Sequence, residues 1–181
     1  TGRSLFSLKT VINDDFPVDY VIFSAGIGVC NWQSKQVIKA NQFSINETVL
    51  IYDYLCKKNF DFMVQLPVPD NHYFHHFGNI DSNDDFKTRI DLYQSFGIEP
   101  SISCPDNASQ FVVICPENKD YFNIIKEKFS SFNVVKATSP INNKSIWVEI
   151  LPKNVSKASG IELIMKMHNI TIENVVAVGN D

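Results

Sequence analysis

The sequence predicts an α/β chain with an α+β segment inserted into it. Three observations carry this reading. Short apolar runs alternate with stripes at helical spacing along the whole chain. Two runs, Tyr20-Val21-Ile22-Phe23 and Val175-Val176-Ala177-Val178, are continuous and lead into glycine, as strands buried on both faces do. Two further runs in the second half flank a turn and read as a hairpin. With 181 residues, 44% of them hydrophobic, the chain can bury a core of one compact domain or two small lobes.

The elements follow in order. Leu5, Leu8 and Ile12 sit at helical spacing, and the pattern stops at Asp15-Phe16-Pro17, where proline disfavours helix in the residue before it. Tyr20–Phe23 is a strand, and Gln36 to Ala40 another. Ser44-Ile45-Asn46-Glu47 is a capping box, and the helix it opens carries Ile45, Val49, Tyr52 and Leu55 on one stripe. Asp61 to Leu66 is a strand closed by Pro67 and Pro69. Phe86, Ile90 and Tyr93 mark a helix that ends at Gly97, with the acidic run Asp81–Asp85 capping its start. Phe111 to Cys115 is a strand, and Phe122, Ile125, Phe129 and Phe132 form a helical stripe. Asn133 to Ala137 and Ser145 to Leu151 make the hairpin. Ser156 to His168 is apolar on more than one side, which predicts a helix buried against a sheet.

Composition excludes some classes. A net charge of −4 argues against a general nucleic-acid binder, which carries a basic surface. No apolar run approaches the roughly 20 residues that cross a bilayer, and Thr1-Gly2-Arg3-Ser4 is too polar to open a signal peptide. Cys30, Cys56, Cys104 and Cys115 are far apart, as expected of reduced, mostly buried thiols. The expectation is a soluble cytoplasmic protein that engages neither membrane nor nucleic acid.

Three segments have chemical potential. Gly179-Asn180-Asp181 follows the last strand, and ligands of open α/β sheets gather at the carboxyl ends of strands. Its oxygens suit Mg²⁺, though an ordinary strand-to-helix turn with Asn or Asp as the helix cap is the plainer reading. Ser156 can cap a helix with Lys157 in the first turn. There the ammonium opposes the helix dipole unless an anion joins it, and a solvated surface lysine is the plainer reading. Thr1-Gly2-Arg3 offers a hydroxyl and a guanidinium before a helix, groups that can hold a phosphate. His72-Tyr73-Phe74-His75-His76 has three imidazoles, but no carboxylate or cysteine at metal-ligand spacing accompanies them. It reads as an exposed aromatic loop or as a loop reaching toward a substrate.

Taken together, Thr1-Gly2-Arg3, Val21 to Gly26, Glu149-Ile150-Leu151-Pro152, Ser156-Lys157-Ala158-Ser159-Gly160 and Val175 to Asp181 resemble the haloacid dehalogenase superfamily. The resemblance is to its Cof-type sugar-phosphate phosphatases. It implies a partial Rossmann-like core, residues 1–30 and 145–181, with an α+β cap of the C2B type at 31–144. It further implies a Mg²⁺-dependent phosphatase that hydrolyses a small phosphorylated metabolite, such as a sugar phosphate, through an aspartyl-phosphate intermediate.

Carried onto this sequence, the resemblance makes Thr1 the hydroxyl that bonds the transferring phosphoryl group and Lys157 its stabilising cation. Arg3 and Ser24 become substrate contacts, and Asn180 and Asp181 the metal ligands. Asn180 stands where the family has aspartate, and Ser24-Ala25-Gly26 where it has Asn-Gly-Ala. The family's nucleophile lies on a strand upstream of Thr-Gly-Arg, so the chain as given is expected to be an inactive fragment. The alternative is a non-catalytic, cap-like module that binds a ligand or partner.

Overall fold

A computed structural model describes residues 1–98, 104–117 and 119–178. Helix α1 (Leu5–Leu8) precedes a three-stranded antiparallel meander of β1 (Tyr20–Phe23), β2 (Gly28–Asn31) and β3 (Gln36–Ala40). Along β1 the burial alternates. Val21 and Phe23 pack with Leu8, Cys30 and Trp32. Ile22 turns the other way, toward Gly160. Both faces of β1 are thus covered, as its apolar run requires, but its neighbour is antiparallel β2 and not a parallel strand.

Helix α2 (Ile45–Lys57) opens with the expected box: the Ser44 N–H donates to Glu47 Oε2 at 2.8 Å, and the Glu47 N–H to Ser44 Oγ at 3.4 Å. Its buried face is Thr48, Ile51 and Leu55, so the stripe is rotated from the expected one, leaving Ile45 and Val49 exposed. The chain then builds a second sheet from β4 (Phe62–Gln65), β5 (Phe74–Phe77), β6 (Gly97–Ile98), β7 (Gln110–Ile114), β8 (Asn133–Thr138) and β9 (Ile146–Leu151). The strand order is β6-β5-β4-β7-β9-β8, antiparallel except for the short β5–β6 pair. On one face α2 and α4 (Phe122–Lys128) cover Phe62, Val64, Phe111, Val113, Val148 and Ile150. On the other, α3 (Asp84–Leu92) covers Met63, Val112, Ile114 and Trp147 through Phe86 and Ile90. Strands with helices on both faces read as unbroken apolar runs, which is why β4 and β7 were readable.

Buried Asp85 ties α3 to the β8–β9 hairpin, accepting from Ser139 Oγ at 2.8 Å and from Trp147 Nε1 at 2.6 Å. Asn83 is the N-cap of α3 and accepts from the Phe86 N–H, so the polar run does cap this helix. The helix ends at Leu92, however, and Gly97 opens β6 instead of terminating it.

Other expectations are corrected. Phe74–Phe77 is a strand, not a loop, and His75 and His76 lie half-buried within it. Val175–Val178 forms no strand. It finds no partner among the described residues, and Val176 and Val178 are 88% and 95% exposed. Helix α5 (Lys157–His168) lies against β1, but Gly160 is its buried residue while Ile161 and Met167 are exposed. The expected division at 30/31 and 144/145 crosses both sheets, since β2 and β3 pair with β1, and β9 pairs with β7 and β8. All four cysteines are free, as expected. No described helix is long and apolar enough to cross a membrane.

Candidate functional site

The turn after β1 is the hub. Ser24, Ala25 and Gly26 have φ of 46°, 55° and 110°, a left-handed stretch that non-glycine residues adopt only at a cost of order 1–2 kcal/mol each. The surroundings hold it there. The Ser24 N–H donates to the Arg3 carbonyl at 2.8 Å and the Ala25 N–H to the Thr1 carbonyl at 2.9 Å, while the Thr1 nitrogen donates to the Ile22 carbonyl at 2.9 Å. Thr1–Arg3 is thereby laid along the end of β1. Gly26 lies so close to Ser156 that a Cβ would stand 2.2 Å from the Ser156 carbonyl oxygen.

Ser156 is the N-cap of α5, with the Ser159 N–H donating to its hydroxyl at 3.0 Å. Gly160 allows the helix to sit on Ile22, where a Cβ would come within 2.8 Å. These contacts bring Lys157, the first residue of α5, over the turn.

Thr1 and Lys157, far apart in sequence, therefore share one site, and both are exposed. Arg3 is next to them but donates to Ser7 Oγ at 3.2 Å along α1. The Ser24 hydroxyl is buried and accepts from Asn71 Nδ2 at 2.8 Å, so that oxygen is engaged by the loop between β4 and β5. Asn180 and Asp181 lie outside the described residues. Among those described, no group of three or more His, Cys, Asp or Glu could hold a metal. His72 stacks on Phe6 with ring centroids 4.4 Å apart, which places the histidine segment against α1.

Sequence reasoning quoted the end of β9 but gave its side chains no role. On β9, Trp147, Glu149 and Leu151 point to the α3 side of the sheet. Leu151 packs with Ile27 and Val155 at the junction beside the turn, and Trp147 is sealed by Asp85. Glu149 lies between them, half-buried, with Gln110 nearby on β7. Burial pushes its carboxyl above the usual range, against the pull of Lys157, Gln110 and Arg89. Arg89, on α3, lies over the rings of Tyr93 and Trp147, 3.9 and 5.1 Å from their centroids. The available signal was a lone carboxylate in the apolar run Ile146-Trp147-Val148-Glu149-Ile150-Leu151. Asn71 carried none.

The site is built on the strained turn, with the Thr1 hydroxyl and the Lys157 ammonium beside it. Its cationic side, beside the N-terminus of a helix, suits an anion.

No curated protein matches the chain. The fold is that of several solved structures. A HAD/COF-like hydrolase of Plasmodium vivax superposes with a TM-score of 0.72 at 18% identity over 99% of this chain and 64% of its own. For BT1666 of Bacteroides thetaiotaomicron, described among the phosphatases of the haloalkanoate (HAD) superfamily, the TM-score is 0.69 at 13% identity, covering 95% of this chain and 59% of that one. For TM0651 of Thermotoga maritima the TM-score is 0.67 at 18% identity, over 93% and 61%. The chain thus spans about three fifths of the length of these relatives. The family model for haloacid dehalogenase-like hydrolases matches residues 1–181 throughout. This chain belongs to the haloacid dehalogenase-like hydrolases.

Proposed function

We propose that the protein is a Mg²⁺-dependent phosphatase that acts in the cytoplasm on a small phosphorylated metabolite, in particular a sugar phosphate. The observation that carries this reading is the convergence of Thr1, the Ser24–Gly26 turn and Lys157 on one anion-suited site. In this reading the Thr1 hydroxyl donates to a phosphoryl oxygen. The Lys157 ammonium offsets the charge that builds as the ester bond breaks. The nucleophile is an aspartate outside this chain, which forms an aspartyl phosphate that water then hydrolyses. Without it the 181 residues alone are inactive.

Mg²⁺ would assist by neutralising phosphate charge. Asn180 and Asp181 would be its donors. The sheet pairings support a core of residues 1–41 and 152–181 around a cap at 42–151.

The test is phosphate release from a panel of sugar phosphates, with and without Mg²⁺, by the chain and by a version extended upstream. The extended version is expected to release phosphate and the chain alone is not. Lys157→Ala in the extended protein is expected to lower turnover about a hundredfold or more. Unchanged turnover overturns the role of Lys157. Absence of release from every ester, with the extended protein folded, leaves a ligand-binding module.

A further inference from the structure

The left-handed Ser24–Gly26 turn needs a hold from outside itself. At its far end Gly26 has two: the Ser156 backbone closes on it, and Asn41 Nδ2 donates to the Gly26 and Ile27 carbonyls at 3.4 and 3.1 Å. At its near end the Ser24 and Ala25 N–H groups donate to the Arg3 and Thr1 carbonyls, and both of those residues are exposed. An exposed segment laid along the turn is placed by the turn and cannot also fix it. What remains at Ser24 is the side chain, 3% exposed, whose hydroxyl accepts from Asn71 Nδ2 at 2.8 Å.

Asn71 reaches the turn from the six-stranded sheet, on the loop between β4 and β5. That loop is a stiff arm. The Asp70 N–H donates to the Pro67 carbonyl at 2.9 Å, the Tyr73 N–H to the Asp70 carbonyl at 2.8 Å and the Leu66 N–H to the Tyr73 carbonyl at 3.1 Å. Val68 packs against the apolar clusters around Trp32 and around Ile27, and His72 stacks on Phe6. Asn71 is itself 3% exposed, and its Oδ1 is buried with no donor among the described residues. An apolar residue would fill this place without burying an unsatisfied acceptor, so packing does not account for the amide. Its bond to Ser24 does.

We propose that Asn71 is a positioning residue for phosphoryl transfer: by holding the Ser24 side chain it locks the left-handed turn, and the turn places Thr1 through the Ala25 N–H. This rests on the phosphatase reading, which puts the phosphoryl group at Thr1 and Lys157. Asn71 works through Ser24 and not on the substrate. Ser24 is then the catch by which the six-stranded sheet fixes the reacting end of the meander, and not a substrate contact. A displaced Thr1 hydroxyl costs most when the phosphoryl group is in transfer, so the loss falls on turnover and not on affinity.

The experiment uses the full-length protein with Asn71→Ala, Ser24→Ala and the two combined. On a sugar phosphate each single variant is expected to lower kcat about 10-fold with KM within about twofold of wild type, and the double variant to lose no more than either single one. Losses that multiply, a KM that rises while kcat holds, or unchanged turnover each overturn the proposal. Ser24→Ala removes the same bond from the other side, so the kinetic test survives if Asn71→Ala does not fold.

Amide exchange followed by nuclear magnetic resonance decides the point without substrate. The Ser24 and Ala25 amides, which donate to the Arg3 and Thr1 carbonyls, are expected to exchange about 10-fold faster in Asn71→Ala, with those of α2 unchanged. Unchanged exchange at the turn, or an equal gain throughout the protein, overturns the positioning role. If wild type hydrolyses nothing, the phosphatase reading falls. The exchange comparison then still stands or fails by itself.

Discussion

Helices α2 and α5 are of nearly equal length, and each opens with a serine capping box, yet they end in opposite circumstances. Helix α2 lies on the six-stranded sheet and buries Thr48, Ile51 and Leu55. Helix α5 touches the meander through Gly160 alone among its buried residues. Ile161 and Met167, and beyond the helix Ile170, Ile172, Val176 and Val178, are exposed. The box fixes where a helix starts by satisfying its first N–H groups. It has no influence on whether a sheet face is there to receive the apolar stripe. Among the described residues, packing is therefore concentrated around the six-stranded sheet.

Large-to-small substitutions break the comparison most sharply. Leu55→Ala removes a fully buried side chain and is expected to cost about 2–5 kcal/mol in denaturant unfolding, while Ile161→Ala stays within about 0.5 kcal/mol. Comparable losses would mean that α5 is buried in solution after all. Gly26→Ala follows in size. A Cβ there meets the Ser156 backbone in a conformation that L residues rarely adopt, and about 1–3 kcal/mol is expected. Amide exchange should quicken in α5 and remain slow in α2.

The smallest effect concerns pH. A carboxyl raised in the folded state supplies stability that is complete below its unfolded value of about 4.3. That contribution is lost as pH rises through the raised value. Lys157 on α5 and Arg89 on α3 face Glu149 and soften the loss without cancelling it. Glu149→Gln is therefore expected to melt above wild type at pH 7, with the gap closing as pH falls below about 4. A gap that persists there would point to packing in place of charge.

Legibility in the sequence followed burial. Runs covered on both faces, such as Phe62–Val64 and Phe111–Ile114, announced themselves, as did the capping serines and the β8–β9 hairpin. Phe74–Phe77 was hidden because two half-buried histidines break its apolar pattern. Val175–Val178 misled for the opposite reason: composition favours a strand, but a strand also needs a neighbour's ladder, and none of the described residues supplies one. At the site, Thr1 and Lys157 were named from motifs. Glu149 appeared only inside a strand segment, with no role of its own, and Asn71 not at all, because what singles them out is the company they keep in the fold.

That company has a lever behind it. Asp85 and Arg89 are one turn apart on α3, and Trp147 and Glu149 are two residues apart on one face of β9. The same pair of elements thus meets twice, once in the bond between Asp85 and Trp147 and once where Arg89 lies over the Trp147 ring. The sealed contact works as a fulcrum: it fixes α3 against β9 and with it the place of Arg89. A substitution at buried Asp85 would then be felt on both α3 and β9 at once, since the two elements share that one anchor.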